Sequence, residues 1–307
     1  MRVLIAGGTG LIGRALSAEL LAAGHAVTVL TRRPERARLP SAVRLVGWDG
    51  RTLGAWDAQV AEADAVVNLA GANIFGEGVF PRRWTAARKR LLRESRLAAG
   101  RVLAEAVTAS ARKPRVFVQA SAVGYYGPRG DEELAEDAPP GDDFLARLAV
   151  DWEAASAAVE TAGVRRVVVR TGIVLSTVGG ALPRLVLPFR LFLGGPLGAG
   201  RQWLPWIHIV DEVGALRFLM EREGAQGAFN LCAPRPLTNA EFARALARVL
   251  GRPHALRTPA WALRLALGEM ATLVLDGQRA VPCRLLELGY VFRFEQAEDA
   301  LRDLLAG

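Results

Sequence analysis

The chain is poor in several residues on which whole classes of function depend. Its 307 residues hold two cysteines, Cys232 and Cys283, too few for a disulfide framework and without metal-ligand spacing. They are expected to be reduced thiols in a cytoplasmic protein that binds no metal. Lysine is scarcer still for a chain with 39 basic residues: only Lys89 and Lys113 occur, so the net charge of +8 is carried by arginine. Those arginines scatter among acids instead of forming a block, and no nucleic-acid partner is expected. Long apolar runs are also missing. The longest, Trp261 to Leu275, is interrupted by Arg264 and Glu269 and falls short of the roughly 20 residues that a bilayer span needs. The N-terminus reads as a strand and a glycine loop instead of a signal peptide, so neither a membrane segment nor a membrane partner is expected.

About half of the residues are apolar and 32 are glycine, a composition that fits a folded α/β protein rich in tight turns. The length suggests one nucleotide-binding domain over residues 1–175 and a smaller C-terminal α/β domain over 176–307. Short β-branched runs at Val3–Ala6, Val27–Thr31, Val43–Val46, Ala65–Leu69, Val116–Ala120 and Arg166–Arg170 read as strands. Between them, Leu11–Ala23, Trp84–Ala109 and Asp142–Ala162 show helical spacing. Such alternation predicts a doubly wound parallel sheet with helices on both faces. Beyond Ser176 the chain turns rich in Gly and Pro, with helices expected near Val210–Glu223 and Asn239–Leu250.

The first strand runs into Gly7-Gly8-Thr9-Gly10-Leu11-Ile12-Gly13 and then into a helix. Glycines at 7, 10 and 13 give a tight turn, close approach of backbone amides to a pyrophosphate, and close helix–strand packing. This is the fingerprint of a Rossmann dinucleotide site, and its strand–loop–helix context makes it more than a chance pattern. An acidic residue at the end of the second strand would accept hydrogen bonds from the adenosine ribose of NAD, but the strand ends in Thr31-Arg32-Arg33. A guanidinium there suits a 2′-phosphate, which favours NADP. The fourth strand ends in Asn68-Leu69-Ala70-Gly71, small residues past which a cofactor fits.

These segments, with Ser121-Ala122-Val123-Gly124-Tyr125-Tyr126-Gly127 and Trp206-Ile207-His208-Ile209-Val210-Asp211, stand in the order found in extended short-chain dehydrogenases/reductases, and the chain resembles that group. More narrowly, Arg83-Trp84, Ser95-Arg96, Arg170 to Leu175, Leu187 to Leu191 and Gly194 to Gly200 resemble the epimerase family protein branch. The stretch from Thr258 to Leu305 is similar to that branch's C-terminal domain of unknown function. The resemblance covers essentially the whole chain. It implies NADP held by the glycine loop (Gly7, Thr9, Gly10, Leu11, Ile12, Gly13), by Thr31 and Arg32, by Leu69, Ala70 and Gly71, and by Arg96.

One departure from that group concerns the chemistry itself. Extended members use a Tyr with a Lys four residues later on one helix face. The only tyrosines are Tyr125, Tyr126 and Tyr290, and neither lysine follows one at that spacing. The helix that should carry the pair reads Phe144-Leu145-Ala146-Arg147-Leu148-Ala149. Arg129 does lie four residues after Tyr125, but Gly127 and Pro128 intervene and break any helix. Tyr125, Tyr126 and Ser121 remain as catalytic candidates, for an epimerase-like oxidoreductase acting on a small polar or nucleotide-linked molecule. A non-catalytic NADP(H) sensor is the alternative. Trp203, Trp206 and His208 are expected to anchor structure, Asp211 to cap the helix after them, and the acidic run Asp131–Asp137 to be a solvated loop. A monomer or homodimer is expected.

Overall fold

A computed structural model describes residues 1–76 and 83–305. From the N-terminus, β1 (Arg2–Ala6), α1 (Leu11–Ala22), β2 (Ala26–Thr31), β3 (Arg44–Gly47), α2 (Ala58–Glu62), β4 (Ala65–Asn68) and α3 (Ala86–Ala109) lead to β5 (Val116–Ala122). Next come β6 (Glu133–Leu134), α4 (Phe144–Ala154), α5 (Ala158–Thr161) and β7 (Arg165–Thr171). They are followed by β8 (Ile173–Leu175), α6 (Leu182–Arg190), β9 (Trp203–Leu204), β10 (Trp206–His208), α7 (Ile209–Glu221), β11 (Gly227–Leu231), β12 (Leu237–Thr238) and α8 (Asn239–Leu250). The C-terminal stretch holds α9 (Ala260–Leu267), α10 (Thr272–Leu275), β13 (Arg279–Ala280), α11 (Cys283–Glu287) and α12 (Ala297–Leu305).

Seven strands form one parallel sheet in the order β11-β7-β5-β4-β1-β2-β3. Strand side chains alternate between faces, so the β-branched runs feed two cores. Val3, Ile5, Val29, Val67 and Val118 pack with Leu16 and Leu20 of α1 and Leu216 and Leu219 of α7. Leu4, Leu30, Val66 and Phe117 pack on the other face with Leu103 and Val107 of α3. Both faces are therefore dry, and each buried aliphatic side chain contributes about 1.5–3 kcal/mol.

The six strands expected from sequence all lie in this sheet, but the sheet takes in more of the chain than the first 175 residues. α7 packs on α1, and β11 pairs with β7 over Gly227 to Leu231. A third core, of Leu182, Val186, Phe189, Trp206, Phe242, Leu246 and Leu301, belongs to the C-terminal part. That part adds three two-stranded pairings, β10-β8, β12-β9 and β13-β6. The expected single helix over Asp142–Ala162 is two, α4 and α5. No described helix is long and apolar enough to cross a membrane.

Candidate functional site

The C-terminal edge of β1 opens into the glycine loop. Gly7 has φ +80°, and a Cβ placed on it would lie 2.6 Å from the backbone carbon of Leu69, so only glycine fits where the loop crosses the end of β4. A Cβ on Gly13 would meet the Gly7 carbonyl at 2.5 Å, which fixes how closely α1 starts beneath the loop. The α1 N-cap is Gly10, with no side-chain cap and no acidic residue in the first turn. Its first-turn amides thus face the loop without side-chain partners, a positive helix end suited to a phosphate. Thr9 and Ile12 flank this turn, the Thr9 carbonyl accepting from Arg14 Nε at 2.8 Å. Leu11 reaches toward Gly180 of the C-terminal part.

Thr31 ends β2 buried at this same edge, and Arg32 and Arg33 project from it exposed, with no ion-pair partner among the described residues. On the far side of the loop, Leu69 donates its amide to the Ala6 carbonyl at 2.9 Å, and Ala70 donates to Asn68 Oδ1 at 3.2 Å. Gly71 lies against Arg96, where a Cβ would sit 3.2 Å from the guanidinium carbon. Arg96 comes from α3 and is buried. Its Nη1 donates to the carbonyls of Ala72 (3.1 Å) and Leu92 (3.0 Å), and the guanidinium lies over the Trp152 ring at 4.7 Å. It has no carboxylate partner among the described residues. Burial, aided by the Arg88 charge, brings its pKa down to about 10.

The other half of the edge, from β5 to β7, is organised oppositely. Arg170 of β7 is 5% exposed and paired with Glu153 of α4, Nε to Oε1 at 2.9 Å and Nη2 to Oε2 at 3.1 Å. Ser121 donates to the same Glu153 Oε1 at 2.6 Å. Arg170 Nη1 donates to the Tyr126 hydroxyl (3.1 Å) and the Glu136 carbonyl (3.0 Å). Tyr126, fully buried, donates its hydroxyl to Asn230 Oδ1 at 2.7 Å. Burial opposes the charge on Arg170, but Glu153 more than offsets it and holds the guanidinium protonated. Burial also pushes the Tyr126 phenol up to about 12. Tyr125 is half-buried, its ring 3.4 Å from the Arg170 guanidinium. The catalytic candidates are thus adjacent but unequal: Ser121 and Tyr126 spend their hydroxyls on this network.

On α4, Leu145 lies against Gly124, and with Phe144 it joins an apolar cluster of Trp84, Leu92, Leu148 and Met270. Met270, with the nearby Leu267 and Leu273, comes from the C-terminal stretch, which therefore covers the helix where a Tyr–Lys pair would stand.

Several side chains differ from their expected roles. Asp211 does not cap α7; His208 does, Nδ1 accepting from the Val210 amide at 3.1 Å. The Asp211 carboxylate instead accepts from the amides of Arg293 (2.8 Å) and Phe294 (2.9 Å), tying down the C-terminal chain. The acidic run is solvated at Asp131, Glu132, Glu133 and Asp137, as expected, but it is not only a loop and one of its acids is inside. Glu133 begins β6, Asp131 Oδ1 accepts from Trp203 Nε1 at 2.8 Å, and Glu136 is buried, accepting from the Asn230 amide at 3.0 Å. Trp206 and His208 are buried anchors. Sequence reading passed over Glu153 and Glu212. The first stands in the last turn of α4, two residues after Asp151. The second is fully buried in α7, with Oε1 accepting from the Thr171 hydroxyl at 2.9 Å and Oε2 without a hydrogen-bond partner among the described residues. Burial pushes the Glu212 carboxyl up to about 8.

A glycine loop at the β1–α1 crossover of a parallel sheet with this strand order defines a protein of the Rossmann class. Residues 3–232 match the NAD dependent epimerase/dehydratase family, and residues 258–304 match a domain of unknown function, DUF1731. The chain is 41% identical over 308 residues to the epimerase family protein SDR39U1 of Mus musculus, covering all of both. It is 36% identical to the epimerase family protein YfhF of Bacillus subtilis, covering 100% of this chain and 98% of that one. The crystal structure of human epimerase family protein SDR39U1 (isoform 2) with NADPH superposes with a TM-score of 0.87 at 38% identity, covering 100% of both chains. The chain belongs to the NAD-dependent epimerase/dehydratase family.

Proposed function

We propose that the protein binds NADP(H) and acts as an epimerase-like oxidoreductase on a small polar or nucleotide-linked molecule. The observation that carries the reading is the buried Arg96 guanidinium, without a carboxylate partner among the described residues, beside Gly71. A buried charge left unpaired is strongly unfavourable, and a pyrophosphate between Arg96 and the N-terminus of α1 would supply the missing anion. The glycine cradle fits the same group, because any Cβ at Gly7 or Gly13 would occupy its floor. Arg32, exposed beside Thr31 at the end of β2, would take the 2′-phosphate, and Leu69 and Ala70 would border the adenosine. The human relative solved with NADPH supports the same cofactor. When bound, the nicotinamide supplies hydride exchange.

On the reacting side, Tyr125 is the candidate whose hydroxyl is not committed to the Arg170–Glu153 network, and we assign it the proton-handling role. Ser121 and Tyr126 position Arg170 beneath it. A second reading, an NADP(H) sensor without turnover, is favoured by one observation: the pair's helix carries Leu145 in an apolar cluster and no phenol or ammonium. Titration of thermal stability with NADPH and NADH tests the cofactor, since a ligand of the native state must raise it. Selective stabilisation by NADPH is expected; equal response to both would remove the role given to Arg32. Oxidation of bound NADPH in a carbonyl-substrate screen, lost in Tyr125→Phe, separates the enzyme from the sensor.

A further inference from the structure

The C-terminal part presents an apolar strip that none of the described residues covers. Residues 192–198 and 254–260 run side by side: Leu197 bridges Thr258 in parallel, Thr258 donates to the Pro196 carbonyl at 3.0 Å, and Gly198 abuts Ala260. At one end stand Leu191, Phe192 and Leu193, 58%, 56% and 57% exposed, with Leu256 at 52%. At the other, α9 has the sequence AWALRLAL and no buried residue. Its Trp261 and Leu265, one turn apart, are 70% and 69% exposed. Isolated exposed apolar residues are ordinary on a protein surface, but a run of this kind marks a contact surface. Phe192 is also the single non-glycine residue at positive φ (+61°) among the described residues, a conformation that an aromatic residue adopts at a cost. It holds the ring outward, under the Arg252 guanidinium at 4.4 Å.

The charge on the two segments that build this strip has one sign. Segments 190–201 and 251–267 contain Arg190, Arg201, Arg252, Arg257 and Arg264, all exposed, and no Asp or Glu. None of the five has an ion-pair partner among the described residues; Arg264 also acts electrostatically on Asp276. Elsewhere on the surface arginines pair readily, as Arg44 does with Glu62, Arg93 with Asp151, Arg112 with Asp64 and Arg248 with Glu298. Sequence order hides this grouping, because the two segments are some fifty residues apart, and the fold brings them together.

We infer that this face docks on an anionic lipid surface, with Trp261, Leu265 and Phe192 entering the headgroup boundary and the arginines meeting lipid phosphate. Tryptophan and leucine beside unpaired arginine on a short exposed helix is the pattern of an interfacial, non-spanning membrane contact. A self-contact would bring ten unneutralised arginines together, five from each copy, which argues against a second copy as the occupant. The inference departs from the expectation of no membrane partner, because the exposed strip and its arginines come together only in the fold.

The test is sedimentation of the full chain with phosphatidylcholine vesicles containing about a third phosphatidylglycerol, and with phosphatidylcholine alone, at low and at physiological salt. Binding to the anionic vesicles only, weakened by salt, is expected. Trp261→Glu with Leu265→Glu should reduce it more than tenfold. Arg252→Gln with Arg257→Gln should reduce it about fivefold per arginine. Both variants alter exposed residues, and unchanged melting temperature shows that they fold. No sedimentation with anionic vesicles, or equal binding to neutral ones, overturns the inference. So does a dimer by light scattering that the Trp261/Leu265 variant makes monomeric without any vesicle binding; the strip is then a contact between copies.

Discussion

Arg96 and Arg170 are both buried guanidiniums at the C-terminal edge of one sheet, yet their surroundings are opposite. Arg170 has a carboxylate at 2.9 Å and a serine and a tyrosine hydroxyl in the same network, whereas Arg96 has two carbonyls and an aromatic face. A charge satisfied from within holds the fold together; a charge without a counter-ion among the described residues is where the proposed cofactor would place its phosphate. The two halves of the edge thus divide labour: β1, β2 and β4 stand open to a ligand, and β5 and β7 are locked.

Breaking the locked half should give the largest effect. Arg170→Met strands the Glu153 carboxylate in the interior and is expected to destabilise by about 3–5 kcal/mol in urea unfolding. A loss under about 1 kcal/mol would mean that the pair does not support the sheet edge. Glu212 lies behind the same half, and its effect depends on pH. Its carboxyl is pushed up to about 8 in the fold from an ordinary 4.5. The folded state therefore keeps a proton that the unfolded chain releases. The stabilisation is full below about pH 4.5, falls as pH rises, and is lost above about 8. Glu212→Gln should flatten this slope between those limits and add on the order of a few kcal/mol at pH 8; parallel pH–stability curves for the two proteins would refute it.

In the open half, the sign should reverse. Arg96→Met is expected to leave the ligand-free protein as stable or more so, because it removes a buried charge without a counter-ion. It should weaken NADPH binding about 10- to 100-fold, the worth of a charge-assisted hydrogen bond. Loss of stability comparable to that of Arg170→Met would erase the distinction drawn here. The smallest change is Arg32→Asp, exposed and screened, which should weaken NADPH roughly tenfold and improve NADH. Calorimetric titration of both cofactors reads the ratio.

What could be read from sequence follows the range of the interaction that builds it. The strands β1, β2, β4, β5 and β7 and the loop before α1 are set by local periodicity and by glycine, and both are visible in a short window. β11 was not visible: Gly-Ala-Phe-Asn-Leu has little β character of its own and is a strand because β7 offers it an edge. β6 and β13 are two residues each and lie far apart in the chain. Arg96 and Arg170 look alike in sequence. Only the fold shows that Glu153, 17 residues before Arg170, reaches it and that no carboxylate among the described residues reaches Arg96. Asp211 was read as a cap because it follows a strand, yet its partners are 82 and 83 residues away.

The late arrival of β11 also bears on how the chain can be made. β7 is finished at Thr171, but the strand that covers its outer edge begins at Gly227. While the ribosome supplies the intervening segment, the Val167-Val168-Val169 edge has free backbone donors and acceptors and is open to pairing with a neighbouring chain. A fragment ending near residue 175 would keep that open edge permanently. It should therefore aggregate on expression, while the full chain, in which β11 covers that edge and α12 covers α8, should stay dispersed.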